Sequence, residues 1–322
     1  MRVSKTCYPL IISMLACLPS VAPAQGDYPA RPVRVIVPSS PGGGTDILTR
    51  RVVPSFSKHL GQTVVVDNRP GAGSIIGNDI VAHAKPDGYT LLMGISTVAI
   101  LPSTRKKLPY DALKDLTPIT QVVAAPNIMV VHPSLPVTTI KGLIALAKKH
   151  PGELNYASAG PGTNPHLVMA LFLNMTGVDM VHIPYKGLGP ALVDLISGQV
   201  VVASGTMLSS LNHVKSGRLR GLATTGLKRS SALPELPTVD EAGVKGFDVT
   251  QWYGLFAPAG TPDEIVRKVN AAMVAALNTE RMRFAVDGVE TVGNSPVVFA
   301  KVLRSEIGKW AKIVRAAGLE PR

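Results

Sequence analysis

The 322-residue sequence predicts an α/β fold of two domains, each built on a mixed, mostly parallel sheet, joined by two crossing strands with a ligand cleft between them. Three observations predict it. From Val33 onward, short β-branched runs alternate with helical patterns, as parallel strands joined by crossover helices do. Two longer strand-like runs, Ile119 to Pro133 and Val249 to Gly260, interrupt that rhythm and bracket about 115 residues, the size of one ordinary domain. The chain is also longer than a single core comfortably supports. The expected division is a leader over 1–24, a discontinuous first domain over 25–125 and 249–322, and a second domain over 126–248. Two crossing strands make a hinge, and a cleft between hinged domains is a natural ligand site.

In chain order, "VRVIV" leads through glycines to a helix opening at Thr45 or Asp46. "TVVVDNR" leads to a glycine turn and the helix "SIIGNDIVAHA", and "GYTLLMG" runs into "ISTVAI". The second block alternates the helix "TTIKGLIALAKKHPG", the strand "LNYASAG", the helix "NPHLVMALFLNMTG", the strand "VDMVHIPY" and the helix "GPALVDLISG". It closes with "QVVVAS", "MLSSLNHVKSG" and "LRGLATTG". Towards the C-terminus, Thr261 as N-cap, Pro262 at the first helical position and Glu264 two further on predict a capping box. The last helix places Phe299, Val302, Leu303, Ile307, Trp310 and Val314 on one face, a core-packing stripe.

The first 24 residues read as a secretory leader. Arg2 and Lys5 form a basic start, an apolar stretch follows, and Ala22-Pro23-Ala24 supplies small residues before a mature chain starting near Gln25. Cys17 follows an imperfect lipidation signal. Cys7 and Cys17 are the sequence's two cysteines, so the exported chain carries neither disulfides nor thiol chemistry. A periplasmic location is expected.

The net charge of +12 becomes +10 without Arg2 and Lys5. The basic residues are scattered and aromatics make up only 5%, so base stacking has little to work with and no nucleic-acid partner is expected. A basic protein that collects anions is the simpler reading.

The glycine turns invite nucleotide readings that fail on inspection. "GAGSIIG" imitates a dinucleotide turn, but Asn68, Arg69 and Pro70 separate it from its strand. No phosphate-binding G-x-x-x-x-G-K-[ST] occurs. Ser96 in "GISTV" comes near a nucleophile elbow without its closing glycine. His59, His83, His132, His150, His166, His182 and His213 show no metal-ligand spacing. No cofactor or metal is expected.

What remains is a set of glycine and hydroxyl turns at helix starts. The first holds Gly42, Gly43 and Gly44 with Thr45 or Asp46 as cap. The second, "YASAGPGTNPH", holds Ser158, Gly160, Gly162, Thr163 and Asn164 before Pro165. The third places Tyr185 and Gly187 ahead of another helix. Free N–H groups and the positive end of a helix dipole suit an anion. Such turns, split between two domains, suggest a pocket that grips a ligand by both ends.

The stretches "YPARPVRVIVPSSPGGGTDILTR", "GQTVVVDNRPGAGSIIGNDIVAHAKPDGYTLLMG", "KKLPYDALKDLTPI", "LNYASAGPGT", "VDMVHIPYKGLGPALVDLISGQV" and "LPELPTVDEAG" closely resemble the Bug family, also called TctC, of extracytoplasmic substrate-binding proteins. The resemblance implies a two-domain periplasmic binding fold of type II-like architecture, monomeric, closing on a small carboxylated solute. In some members that solute passes to the membrane subunits of a tripartite tricarboxylate transporter. It implies ligand contacts at Ser39, Gly42, Gly43 and Asp46 on one side and Ser158, Gly162, Thr163 and Asn164 on the other, with Ser96, Tyr185 and Gly187 as further candidates. Two departures stand out: Ser39 where the family commonly has an aromatic residue, and Ala203 to Thr206 where it often reads "MFDN". Both positions are expected to border the cleft and to leave it roomier or more polar. The rival readings are a secreted serine hydrolase using Ser96 or Ser158, and an orphan receptor feeding a signalling protein.

Overall fold

The structure, a computed structural model, describes residues 28–316 together with residues 1, 3 and 4. The leader assignment, with Cys7, Cys17 and the cleavage site before Gln25, lies outside the described residues. The chain runs β1 (Val33–Val37), α1 (Gly44–Leu60), β2 (Val64–Asn68), α2 (Ile75–Ala82), β3 (Thr90–Ile95), α3 (Thr97–Thr104) and β4 (Leu116–Val131). It continues through α4 (Ile140–Lys149), β5 (Asn155–Ser158), α5 (Asn164–Thr176), β6 (Val181–Pro184), α6 (Leu188–Ile196), β7 (Val202–Thr206), α7 (Met207–Lys215) and β8 (Arg220–Thr224). β9 (Thr250–Pro258), α8 (Asp263–Val286), β10 (Glu290–Thr291) and α9 (Pro296–Ala316) complete it.

The strands follow the order β2-β1-β3-β9-β4-β7-β5-β6, with β10 and β8 also paired to β4. Pairing is parallel where helices make the crossovers: β1 with β2 and β3, and β5 with β6 and β7. It is antiparallel around β4 and β9, so the sheet is mixed.

β4 explains how one strand serves both halves. Its residues from Leu116 to Pro126 pair with β9, and those from Asn127 to Val131 pair with β7 and β8. The exchange falls at Pro126, which has no N–H to donate to a ladder. The chain returns at the same level: the Val249 N–H donates to the Thr225 carbonyl at 2.9 Å, and Thr250 then pairs with Pro126.

The predicted stripe of α9 is the buried one. Phe299, Leu303, Trp310 and Val314 are buried, with Val302 and Ile307 at its margin. Each fully buried side chain of this size contributes about 1.5–3 kcal/mol. Glu306 fixes the helix laterally by accepting from both indoles, Trp252 Nε1 at 3.0 Å and Trp310 Nε1 at 3.1 Å.

Two helix starts differ from expectation. α1 begins at Gly44, one or two residues before the expected opening at Thr45 or Asp46, and Gly43 rather than Thr45 or Asp46 is its N-cap, a position with no side chain to mark it. α8 begins at Asp263 with no side-chain cap, and the Thr261 hydroxyl instead donates to the Pro258 carbonyl at 2.8 Å. The strand end takes the hydroxyl the capping box would have used. Among the described residues no helix is long and apolar enough to cross a membrane.

Candidate functional site

A cavity of about 260 Å³ lies where the β1 and β3 ends, the β9 strand and the β5 and β6 ends converge. That is slightly below the usual range of ligand pockets, about 300–1,000 Å³. Five of the eleven expected site residues line it: Ser39, Gly43, Thr163, Tyr185 and Gly187. Gly42, Asp46, Ser96, Ser158, Gly162 and Asn164 do not.

The first wall is the turn between β1 and α1. The N–H groups of Gly44, Thr45 and Asp46 have no acceptor among the described residues, as a helix start requires. Asp46 shapes this turn from behind. It is 4% exposed, accepts from the Gly42 N–H at 3.0 Å, and binds Arg50 Nε at 2.8 Å and Asn68 Nδ2 at 3.1 Å. Its carboxylate and Gly42 therefore hold the loop in place while the backbone of Gly43 to Thr45 faces the cleft.

Facing it is the start of α6. The N–H groups of Gly187 and Leu188 likewise have no acceptor among the described residues, and both residues line the cleft. The two turns touch so closely that only glycine fits. A Cβ on Gly187 would lie 2.3 Å from Ser40 Oγ, and one on Gly189 would lie 2.2 Å from the Pro41 carbonyl oxygen. Two helix N-termini, each carrying roughly half a positive charge, thus meet across the cleft.

The third wall is the turn Gly71 to Ser74, where four consecutive residues have positive φ: 131°, 47°, 66° and 80°. Two of them, Ala72 and Ser74, pay a steric cost of roughly 1–2 kcal/mol each in that region. Strain of this kind persists at ligand clamps, and all four residues line the cleft.

The floor comes from β9. Tyr253 is 1% exposed, and its Oη lies against Thr206 without a protein partner of hydrogen-bonding geometry. Gln251, two residues away on the same strand face, accepts from Ser96 Oγ at 2.9 Å. Its amide NH₂ makes no bond to protein among the described residues. Ser96 therefore orients Gln251 and is itself fully buried.

The second glycine turn departs most from expectation, because most of its polar groups bond to protein, while Asn164 Nδ2 is buried without a hydrogen-bond partner among the described residues. Ser158 Oγ accepts from the Gly160 N–H at 3.0 Å and lies 2.6 Å from His182 Nε2. The Gly162 N–H donates to His166 Nδ1, and Thr163 Oγ1 donates to the Gly160 carbonyl at 2.6 Å. Asn164 Oδ1 accepts from Asn127 Nδ2 at 2.6 Å. These residues build the turn, which presents Ala159, Gly160, Pro161 and Thr163 to the cleft. Ser96 and Ser158 are both fully buried and off the cleft wall, so neither hydroxyl reaches a substrate carbonyl.

Of the two departures from the family pattern, Ser39 and Thr206 border the cleft, while Ala203 to Gly205 lie within β7. Gln251, Tyr253 and Arg105 were not anticipated. The β9 pair had a signal: Gln251 and Tyr253 alternate in a strand-like run, which puts both on one face.

Electrostatically the cleft is one-signed. Lys186 and Arg105 line it, and no Asp or Glu does. Ser39 Oγ, Tyr253 Oη and Arg105 Nε are buried there without a protein partner, and such groups call for a ligand or ordered water. Burial pushes the Tyr253 phenol up, so it stays a neutral donor at physiological pH. Burial, and then the 2.6 Å bond from its own hydroxyl to Asp194, push Tyr185 up to about 12.

The comparisons with known proteins agree with this architecture. Residues 48–319 match TctC, the tripartite tricarboxylate transporter family receptor. The periplasmic binding protein BugD is 36% identical with a TM-score of 0.89, over 92% of this chain and 100% of BugD. Rpa4515 of R. palustris, solved with adipate, is 36% identical with a TM-score of 0.89 over 92% of this chain and 100% of its own. MatC of Rhodopseudomonas palustris, solved with bound malate, is 33% identical with a TM-score of 0.83 over 89% of this chain and 100% of its own. These relatives are binding proteins, not enzymes. With a matching fold, a matching family model over most of its length and a cleft of receptor form, the chain belongs to the tripartite tricarboxylate transporter family of receptors.

Proposed function

We propose that this chain is a periplasmic receptor that binds a small carboxylated organic compound in the cleft and presents it to a membrane transporter. The carrying observation is the one-signed cleft: two opposed helix starts and two cations, with no carboxylate among the lining residues. Charge-assisted bonds from N–H donors to a carboxylate contribute about 1.5–3 kcal/mol each. Adipate in Rpa4515 and malate in MatC support the same ligand class.

In this reading residues 28–125 with 249–316 form one lobe and 126–248 the other, and β4 and β9 flex between them. The ligand stabilises the closed arrangement by its differential affinity for it. The receptor works as a monomer, exported by its N-terminal leader.

A thermal-shift screen of the exported protein against mono-, di- and tricarboxylates, aromatic acids and amino acids tests the reading, because a ligand bound only by the native state raises the melting point. A selective shift with a carboxylate, confirmed by calorimetry, is expected. A protein that binds no acid, or that turns over esters or amides, contradicts it.

A further inference from the structure

We propose that Arg105 is the specificity-determining residue for a second acidic group, so that the ligand of this chain is a diacid held at one end by main-chain N–H groups and at the other by a guanidinium. The inference rests on the carboxylate-receptor reading and adds a residue that main-chain recognition does not require.

Arg105 follows α3 and is half-buried. Its Nη2 donates to the Pro161 carbonyl at 3.1 Å. Of the five N–H donors of a guanidinium, that is the one with a protein acceptor among the described residues. Its Nε is buried without a partner, and no ion pair to it occurs among the described residues. A permanently charged group left so under-bonded calls for an anion or ordered water to complete it.

The guanidinium sits at a different edge of the cleft from the two helix starts. A Cβ on Gly73 would lie 2.8 Å from the Pro161 carbonyl oxygen and 3.9 Å from Arg105 Nη2, and one on Gly160 would lie 3.9 Å from Gly73. The helix starts meet instead where Ser40 and Pro41 touch Gly187 and Gly189. Arg105 also borders two wider cavities, one of about 460 Å³ that includes Asp179 and one of about 540 Å³ that includes Asp111 and Asp115. These acids disfavour an anion there, whereas the cleft carries no acid. The planar fork of Arg105 matches a carboxylate in bidentate fashion, which a lysine point charge does not.

The test is calorimetric titration of wild type, Arg105→Gln and Arg105→Lys with unbranched dicarboxylates of three to eight carbons, each paired with its monoamide. Wild type is expected to prefer at least one diacid over its monoamide. Arg105→Gln should weaken that diacid about 10- to 100-fold and leave the monoamide within about threefold, with Arg105→Lys between the two. A diacid affinity unchanged in Arg105→Gln, or diacid and monoamide weakened equally, overturns the inference and leaves the receptor reading in place. So does a wild type that binds monoacids but no diacid. A wild type that binds no acid of any class overturns both. Melting points of the two variants within a few degrees of wild type show that they are folded.

Discussion

Asn127 Nδ2 donates to Asn164 Oδ1 over 2.6 Å, tying the point where β4 changes partners to the first residue of α5. The same Nδ2 donates to Ser204 Oγ at 3.2 Å, and both asparagines are fully buried. Asn127→Ala leaves the Asn164 carbonyl unpaired in the interior, so it should lower stability by about 1–3 kcal/mol in urea unfolding. An unchanged midpoint would show that this network carries no structural weight.

Gly43→Val places a side chain where the anion belongs. Its Cβ would lie 3.3 Å from the Ser40 carbonyl oxygen, tight but tolerable, and φ at this position is −76°, open to any residue. The fold should survive with a melting point within a few degrees, while the ligand-induced thermal shift disappears. Full affinity in this variant counts against the first wall as an anion site.

Ser96→Ala removes the bond that orients Gln251. Because Ser96 does not reach the cleft, the loss is indirect, and ligand affinity should fall roughly 2- to 12-fold, the value of one neutral hydrogen bond. Gln251→Ala should lose at least as much. If Ser96→Ala weakens binding while Gln251→Ala does not, the floor has been misassigned.

Burial pushes Tyr110 and Tyr156 up to about 12, and Tyr185 rises to the same value from burial and its bond to Asp194. Unfolded tyrosines titrate near 10, about where the unfolded chain begins to release protons that the folded chain keeps. Stability from these groups is therefore complete below about pH 10 and is lost as pH rises towards their folded values. Urea midpoints should hold between pH 7 and 9 and fall above about 10, less steeply in Tyr156→Phe. A midpoint that stays level across the alkaline range contradicts these shifts.

Much of this could be read from the residues alone. Period-3.6 patterning marked the buried face of α9 through Phe299, Leu303 and Trp310, and the two long strand-like runs marked β4 and β9. Local signals failed where a backbone or a distant group decided the outcome. Gly43 caps α1 with no side chain to announce it, and the Pro258 carbonyl captures the hydroxyl of Thr261. In the site, hydroxyls and glycines identified the right turns but not the direction of each group. Ser158, Gly162 and Asn164 bond to His182, His166 and Asn127, and two of those partners, His182 and Asn127, are remote in sequence. Arg105 was hidden among the basic residues of "TRKKLP", whose spacing does not distinguish a solvated charge from one folded against Pro161.

The most direct measurement is a crystal structure of the exported protein with the tightest-binding acid from the screen. A carboxylate within hydrogen-bond distance of the N–H groups of Gly44 or Thr45 and of Gly187 or Leu188, chemically unaltered, is the result expected. A ligand seated away from both helix starts, or found cleaved, would contradict the account.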